Sequence, residues 1–435
     1  MIAGIVLLLA AVTAQPTAAP AATGHWQGVM RRGAAELAVR IDLDTGAGAR
    51  SVWSAPDLGA IDIPLSHVRL GQLSHWELAG DATTTVFDAR ADGDSMTGTF
   101  RENGRTGMLR LRRVPKSAAR PYDRQEVRFA NGSVTLAGTV FVPRAPGKHP
   151  AVVLVHGSGP EGRWATAYIA DDLARRGVVA LTYDKRGVGA STGDWRSSTL
   201  EMLAGDARRG VHLLAQRRDV DPARIGVYGH SQGAGIAPAI ALDNPEVKWI
   251  VAADGPVGPQ YRQDLYRVDT ALAKRYSGPT LDAAKKLYAE FVDVARNDSS
   301  HEPLRADIRA AGGAPWLAAL AIPDDDNWIW AWYRKVGNYD NSQAWAAVRV
   351  PVLILFGAED ALVPPQESVA ETVRLLKGGD RSNVVVHVFP HADHALRIPP
   401  ATRDGWPHNA PGFPQAIASF AHSAGRGSLN ELSRY

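Results

Sequence analysis

Cysteine is absent from this 435-residue chain, which excludes disulfides, thiolate metal sites and lipid attachment through a thiol. A cysteine-free chain suits either side of a membrane, so this absence leaves the compartment open. No apolar run reaches the ~18 to 20 residues that would span a bilayer. Basic and acidic residues nearly balance, 48 against 45 for a formal charge of +3. Without a long basic run, nucleic-acid binding has no footing. What remains is a chain with 45% hydrophobic residues, enough to bury a large core and to form two or three domains.

The first residues read as a targeting segment. Ile2 to Ala14 is a short, nearly continuous apolar run with no Lys or Arg ahead of it, followed by a Pro/Ala/Thr-rich stretch to Thr23. Its length suits the apolar region of a signal peptide, with cleavage after Ala14 or Ala21. Residues 1–23 are therefore expected to be a signal peptide and processing segment. The mature protein is expected to be periplasmic or extracellular, with no stable membrane insertion. From 24 to 114 short alternating runs such as Ala35–Leu43, Ser95–Phe100 and Gly107–Arg112 are separated by Gly, Asp and Asn clusters. They predict a small all-β barrel or sandwich. Residues 115–123 read as a linker, 124–424 as a larger α/β unit and 425–435 as a tail.

The most informative stretch is Arg224–Ala237. An apolar run, Ile225–Tyr228, meets Gly229-His230-Ser231-Gln232-Gly233, and small residues follow. Strand, tight G-x-S-x-G corner and helix in that order lift a serine hydroxyl above a sheet, where it acts as a nucleophile. Gly189-Ala190-Ser191-Thr192-Gly193 has the same spacing. No apolar strand runs into it, so Ser191 is read as a loop serine. His230, inside the corner, is read as packing.

A serine nucleophile needs a base, and the base needs a carboxylate to orient it. Asp254 ends the strand Trp249–Ala253, while Glu359 and Asp360 follow the strand Val350–Phe356. His391 and His394 follow the strand Val384–Phe389. Any of the three carboxylates and either histidine fits at this level. Ala151–Val155 is another buried strand, and the loop His156-Gly157-Ser158-Gly159 after it is a candidate for backbone N–H groups facing a developing negative charge. Asp184-Lys185-Arg186-Gly187 reads as a charged loop tying its neighbours together, with Arg186 as a carboxylate clamp the sharper alternative.

Five motifs together carry a resemblance: His156–Pro160, Tyr183–Gly189, the serine corner, Gly357-x-x-Asp360-x-x-Val363-Pro364 and His391-x-x-His394. Over residues 124 to 424 the chain resembles an α/β-hydrolase serine esterase. That implies a doubly wound, mostly parallel sheet with its site at the strands' C-terminal ends. It implies Ser231 as nucleophile, Asp360 as acid and His394 as base. The N–H groups of Ser158 and Gln232 would form the oxyanion hole, with Gly157 as runner-up to Ser158. The region 24–114 is similar to the β-domain ahead of the catalytic domain in some exported esterases, opening on a Gly-x-Trp-x-Gly segment (Gly24 to Gly28).

Between Asp254 and Val350 lies an insertion, about 256–345, that reads as a helical cap. Leu287, Tyr288, Phe291, Val294 and Ala295 mark one apolar stripe, and Thr280 is placed as an N-cap. Trp328, Trp330 and Trp332 are expected to line an apolar substrate pocket beneath it, or else to form the cap's own core. Neither His391-x-x-His394 with Asp393 nor Asp324-Asp325-Asp326 has zinc or EF-hand spacing, so no metal and no cofactor is expected. The expected reaction is hydrolysis of a small-molecule carboxylic ester. A thioesterase, acyltransferase or peptidase would use the same residues, although the β-propeller repeats of one peptidase class are missing. A non-catalytic binding protein on the same fold is the alternative of another kind. Oligomeric state has no signature here.

Overall fold

The computed structural model describes residues 22–44, 46, 50–79, 84–116, 120–242, 244–376 and 384–423. The targeting segment (apart from Ala22 and Thr23) and the C-terminal tail lie outside them. The chain divides into two compact units, Met1–Ser54 with Ile63–Ser117 and Ala55–Asp62 with Ala118–Tyr435. No helix among the described residues is long and apolar enough to cross a membrane.

A mostly antiparallel sheet supplies the strands of the first unit, with Ala60–Asp62 of its fourth strand counted in the second. Its strands are β1 (Gly24–Arg32), β2 (Ala35–Leu43), β3 (Val52–Ala55), β4 (Ala60–Pro64), β5 (Ser66–Arg69), β6 (Ser74–Ala79), β7 (Thr84–Asp92), β8 (Ser95–Glu102) and β9 (Arg105–Val114). They lie in the order β4-β3-β2-β1-β9-β8-β7-β6-β5. Alternation explains why these segments are strands: in β2, Leu37, Val39, Ile41 and Leu43 are buried while Glu36, Ala38 and Arg40 are exposed. Period-two burial is what a sheet with one face covered requires. Trp26, Trp76, Phe87 and Phe100 fill the covered side.

The second unit is built on β10 (Tyr122–Asn131), β11 (Val134–Pro143), β12 (His149–Val155), β13 (Val179–Tyr183), β14 (Val220–His230), β15 (Trp249–Ala253), β16 (Val352–Gly357) and β17 (Val384–Phe389). Their order is β10-β11-β13-β12-β14-β15-β16-β17. The hairpin β10–β11 is antiparallel and joins β13 antiparallel, while every pairing from β13 to β17 is parallel. Helices α1 (Ala167–Arg175), α2 (Leu200–Ala215) and α3 (Gln232–Ala241) precede an insertion of six helices. These are α4 (Gln260–Ala273), α5 (Gly278–Asn297), α6 (Glu302–Ala311), α7 (Leu317–Leu320), α8 (Trp328–Val336) and α9 (Ser342–Ala347). After β16 come α10 (Pro365–Leu376) and α11 (Phe413–Ser423).

Alternate residues of the central strands feed two separate cores. Val153 and Val155 of β12 pack with Leu203, Ala207 and Val211 of α2 and Ile240 of α3. Val152 and Leu154 pack on the other face with Ile169 and Leu173 of α1 and Ile417 and Phe420 of α11. A strand covered on both faces is a nearly continuous apolar run, and every residue of β12 and β15 is buried.

The insertion has a core of its own, formed by Leu287, Tyr288, Phe291, Val294 and Ala295 of α5 with Trp330 and Tyr333 of α8. Thr280 is not the N-cap. Helix α5 begins at Gly278 behind Ser277, and Pro279 occupies the first turn, where the missing N–H costs nothing.

Candidate active site

The sheet delivers three loops to one place. β14 ends at His230, and Ser231 follows with φ 54° and ψ −118° before α3 starts at Gln232. A positive φ in a non-glycine residue is strained and is held by its surroundings. Ser231 N–H donates to Ala253 O at 2.9 Å. The flanking glycines are required sterically. A Cβ on Gly229 would lie 2.3 Å from Gly233 C, and one on Gly233 would lie 2.5 Å from Val155 O.

Ser231 Oγ is 2.9 Å from His394 Nε2, and His394 Nδ1 is 2.8 Å from Asp360 Oδ2. Asp360 is buried, and its other oxygen accepts the N–H groups of Leu362 (2.7 Å) and Val363 (2.9 Å). That pair of amides is the reason for the spacing in Gly357-x-x-Asp360-x-x-Val363: the turn past β16 folds back on its own carboxylate. With its outer nitrogen facing a hydroxyl and its inner one donating to a carboxylate, the imidazole has one tautomer available.

The competing residues lie elsewhere. Glu359 and His391 pair with each other at 3.1 Å on the surface. Asp254 is fully buried, and its Oδ1 accepts the Gly357 N–H at 2.8 Å. Its carboxyl lies near the Asp360 carboxylate and His394, with ligand atoms of the three within 4.8 Å of one another. Burial, and after it the Asp360 charge, hold the Asp254 carboxyl well above the usual carboxylate range. This is the one trio of close potential metal ligands among the described residues. Both Asp360 oxygens are already occupied by N–H donors, which makes the trio a hydrogen-bonding network. Asp325, of the acidic triplet, pairs with His301 and Arg305.

His230 does more than pack. Its Nε2 donates to the backbone carbonyl of His394 at 2.8 Å, and burial pulls its imidazole down to about 4. It is neutral at pH 7 and anchors the loop that carries His394. Nothing in the sequence pairs residues so far apart. Ser191 is structural: its hydroxyl donates to Asp184 O at 2.7 Å and accepts the Ala137 N–H at 2.9 Å. Arg186 is no clamp for substrate. It is buried, with Nε and Nη2 on Asp206 at 2.7 and 2.6 Å.

Above Ser231 lies a cavity of about 290 Å³, with Ser158, Ser231, Gln232 and His394 on its floor. The cap side contributes Gln260, Gln263, Asp264 and Arg267 of α4 with Trp332 and Tyr333 of α8. The lining is therefore more polar than an aromatic pocket. Asp264 accepts hydrogen bonds from Arg267, Tyr288 and Tyr333. Of the three tryptophans, Trp332 alone borders the cavity. Trp330 belongs to the cap core, its Nε1 donating to Asp324 O at 2.8 Å. Trp328 is 42% exposed and packs edge-on to Trp195. On one helix, positions two residues apart point about 200° apart, so Trp330 faces away from Trp328 and Trp332 and the three cannot share one face.

The loop after β12 meets the serine corner closely: a Cβ on Gly157 would lie 3.5 Å from Ser231 Cβ. Gly157 N–H is already taken, donating to Glu161 Oε2 at 2.8 Å. That leaves Ser158, which borders the cavity, as the loop's candidate donor.

A two-faced, mostly parallel sheet with a serine corner at β14 and a cap after β15 is the α/β-hydrolase architecture. The serine aminopeptidase S33 family model matches residues 147–398, more than half of the chain, and the chain belongs to that family. Esterase EstD of Thermotoga maritima is 26% identical over 270 residues, covering 60% of this chain and 58% of that protein, less than two thirds of its length. An uncharacterized protein of Mycobacterium tuberculosis is 35% identical over 208 residues, covering 48% of this chain and 67% of the relative. Among solved structures, a Pyrococcus furiosus esterase aligns with a TM-score of 0.45 at 19% identity, over 69% of this chain and 90% of its own.

Proposed function

We propose that the protein hydrolyses carboxylic esters through an acyl-enzyme on Ser231. The observation that carries the reading is the continuous hydrogen-bonded chain from Ser231 Oγ through His394 to the buried Asp360 carboxylate. Membership in a hydrolase family with esterase relatives supports it.

As Ser231 Oγ bonds to the ester carbonyl carbon, its proton passes to His394 Nε2 and the carbonyl oxygen becomes an oxyanion. Asp360 stabilises the imidazolium and fixes its orientation. The amides of Ser158 and Gln232 receive the oxyanion. Collapse breaks the carbon–oxygen bond to the alcohol, which leaves with the proton from His394. Water then attacks the acyl-enzyme, giving a proton to His394, and the acid departs as Ser231 regains its hydrogen.

The size and polarity of the cavity favour short or polar acyl groups over long alkyl chains. The test is hydrolysis of p-nitrophenyl esters from acetate to palmitate by the wild type and Ser231→Ala in parallel. Turnover on acetate and butyrate that falls by ~10³-fold or more in the variant is the expected result. Undiminished turnover in Ser231→Ala refutes the nucleophile. Labelling of Ser231 by a fluorophosphonate without ester turnover assigns the chemistry to thioesters or peptides.

A further inference from the structure

Lys185 is 1% exposed and borders no part of the catalytic cavity, so it lies on the buried side of the loop that follows β12. Its Nζ donates to Gly157 O at 2.5 Å and to Gly159 O at 2.8 Å. An ammonium taken out of water at this depth is costly unless it is hydrogen-bonded. What it holds are two peptide planes. In a trans peptide the carbonyl of one residue and the N–H of the next point in opposite directions. The Gly159 plane ends in Pro160, which has no N–H, so that bond serves only as an anchor. The Gly157 plane ends in the N–H of Ser158.

We infer that Lys185 sets the oxyanion hole: by holding the Gly157 carbonyl from below, it turns the Ser158 N–H of the same peptide unit up into the cavity beside Ser231. The inference rests on the serine-hydrolase reading above and makes Lys185 a positioning residue for that reaction.

Glu161 completes the clamp from the other flank. Its carboxylate accepts the Gly157 N–H at 2.8 Å, and its backbone carbonyl accepts the Lys185 N–H at 3.2 Å. One glycine is thus gripped at both its amide and its carbonyl, and the following amide has no freedom to flip. Charge adds to direction. A cation on the carbonyl oxygen polarises the peptide and makes its N–H a better donor. Three groups face the ammonium besides the carbonyls. They are Glu161, the buried His156 ring and the face of Trp195 at 5.9 Å. Burial pulls the Lys185 ammonium down to about 8, opposed by the Glu161 charge. Lys185 is therefore charged at pH 7 and loses its proton in mildly alkaline solution, weakening the donor as it does.

The assay is the rate of Ser231 labelling by a fluorophosphonate, which needs no knowledge of the natural substrate. Ser231 Oγ bonds to phosphorus, the phosphorus–fluorine bond breaks, fluoride leaves and the hydroxyl proton passes to His394. Lys185→Met keeps the side-chain length without the charge or the donors. It is expected to label ~10²-fold more slowly, the usual effect of losing one oxyanion donor. With p-nitrophenyl acetate kcat should fall by the same factor at an unchanged KM. In the wild type the labelling rate should decline above pH 8, and that decline should be absent from the variant. A folded Lys185→Met that labels as fast as the wild type overturns the inference and leaves the hydrolase reading standing. If the variant does not fold, Lys185→Leu takes its place in the same assay, and a folded Lys185→Leu that labels at the wild-type rate overturns it. A wild type that never labels overturns both.

Discussion

Gly233→Ala adds a single methyl group, and its consequence can be worked from the contacts. The new Cβ would lie 2.5 Å from Val155 O and 2.7 Å from His156 O, against the 3.4 Å or more of ordinary contact. The obstacle is about 0.9 Å deep and made of backbone, so no side chain can rotate away. Relief comes only by moving the start of α3 away from β12. Ser231 immediately precedes that helix and moves with it, out of the 2.9 Å bond to His394 Nε2. A displacement approaching 1 Å at reacting groups costs on the order of 10²-fold in rate. Overpacking of this kind lowers stability by ~1 to 3 kcal/mol. Turnover of p-nitrophenyl acetate and thermal melting measure the two effects, with kcat expected to fall and KM to change little. A Gly233→Ala protein with wild-type kcat would show that the corner yields without moving Ser231, and the steric argument would be wrong.

His394→Ala is expected to lower kcat by ~10³-fold or more, whereas His391→Ala, whose ring pairs only with surface Glu359, should leave it unchanged; the reverse pattern would reassign the base. Asp254→Asn tests the buried carboxyl beside Asp360. Because its folded form keeps its proton above the usual carboxylate range, its contribution to stability is present at low pH and lost as pH rises through the raised value. The asparagine variant lacks that loss, so its melting temperature relative to the wild type should increase from pH 4 to pH 9. A difference that stays constant across the range would mean that Asp254 ionises as an ordinary carboxylate.

Several parts of this architecture were legible because they are written in short-range patterns. The serine corner declares itself through Gly229, Ser231 and Gly233, since the clashes that exclude larger residues lie within a few positions and against the neighbouring strand. Unbroken apolar runs at Val152–Val155 and Trp249–Ala253 announce strands buried on both faces. The turn at Gly357–Pro364 shows its carboxylate because the amides that bind Asp360 follow it directly.

Other parts depended on residues that meet only when the sheet is assembled. His394 and His391 share one loop and one chemistry, and only the convergence of the loops that follow β14 and β17 decides which ring reaches Ser231, 163 residues away. The placement of Lys185 beneath Gly157, of His230 against the His394 carbonyl, and of Asp254 beside Asp360 arises from the same convergence. The cap makes the contrast sharpest. An indole gains about as much free energy in a helical core as in a substrate pocket, so composition could not separate Trp330 from Trp332. Helix geometry and the packing of α8 on α5 did, burying one ring and turning the polar side of α4 toward the cavity. Local sterics and periodicity were thus encoded in the sequence itself. Which side chains share the site was decided by the tertiary structure, because proximity across the sheet is a property of the folded chain and of no single segment.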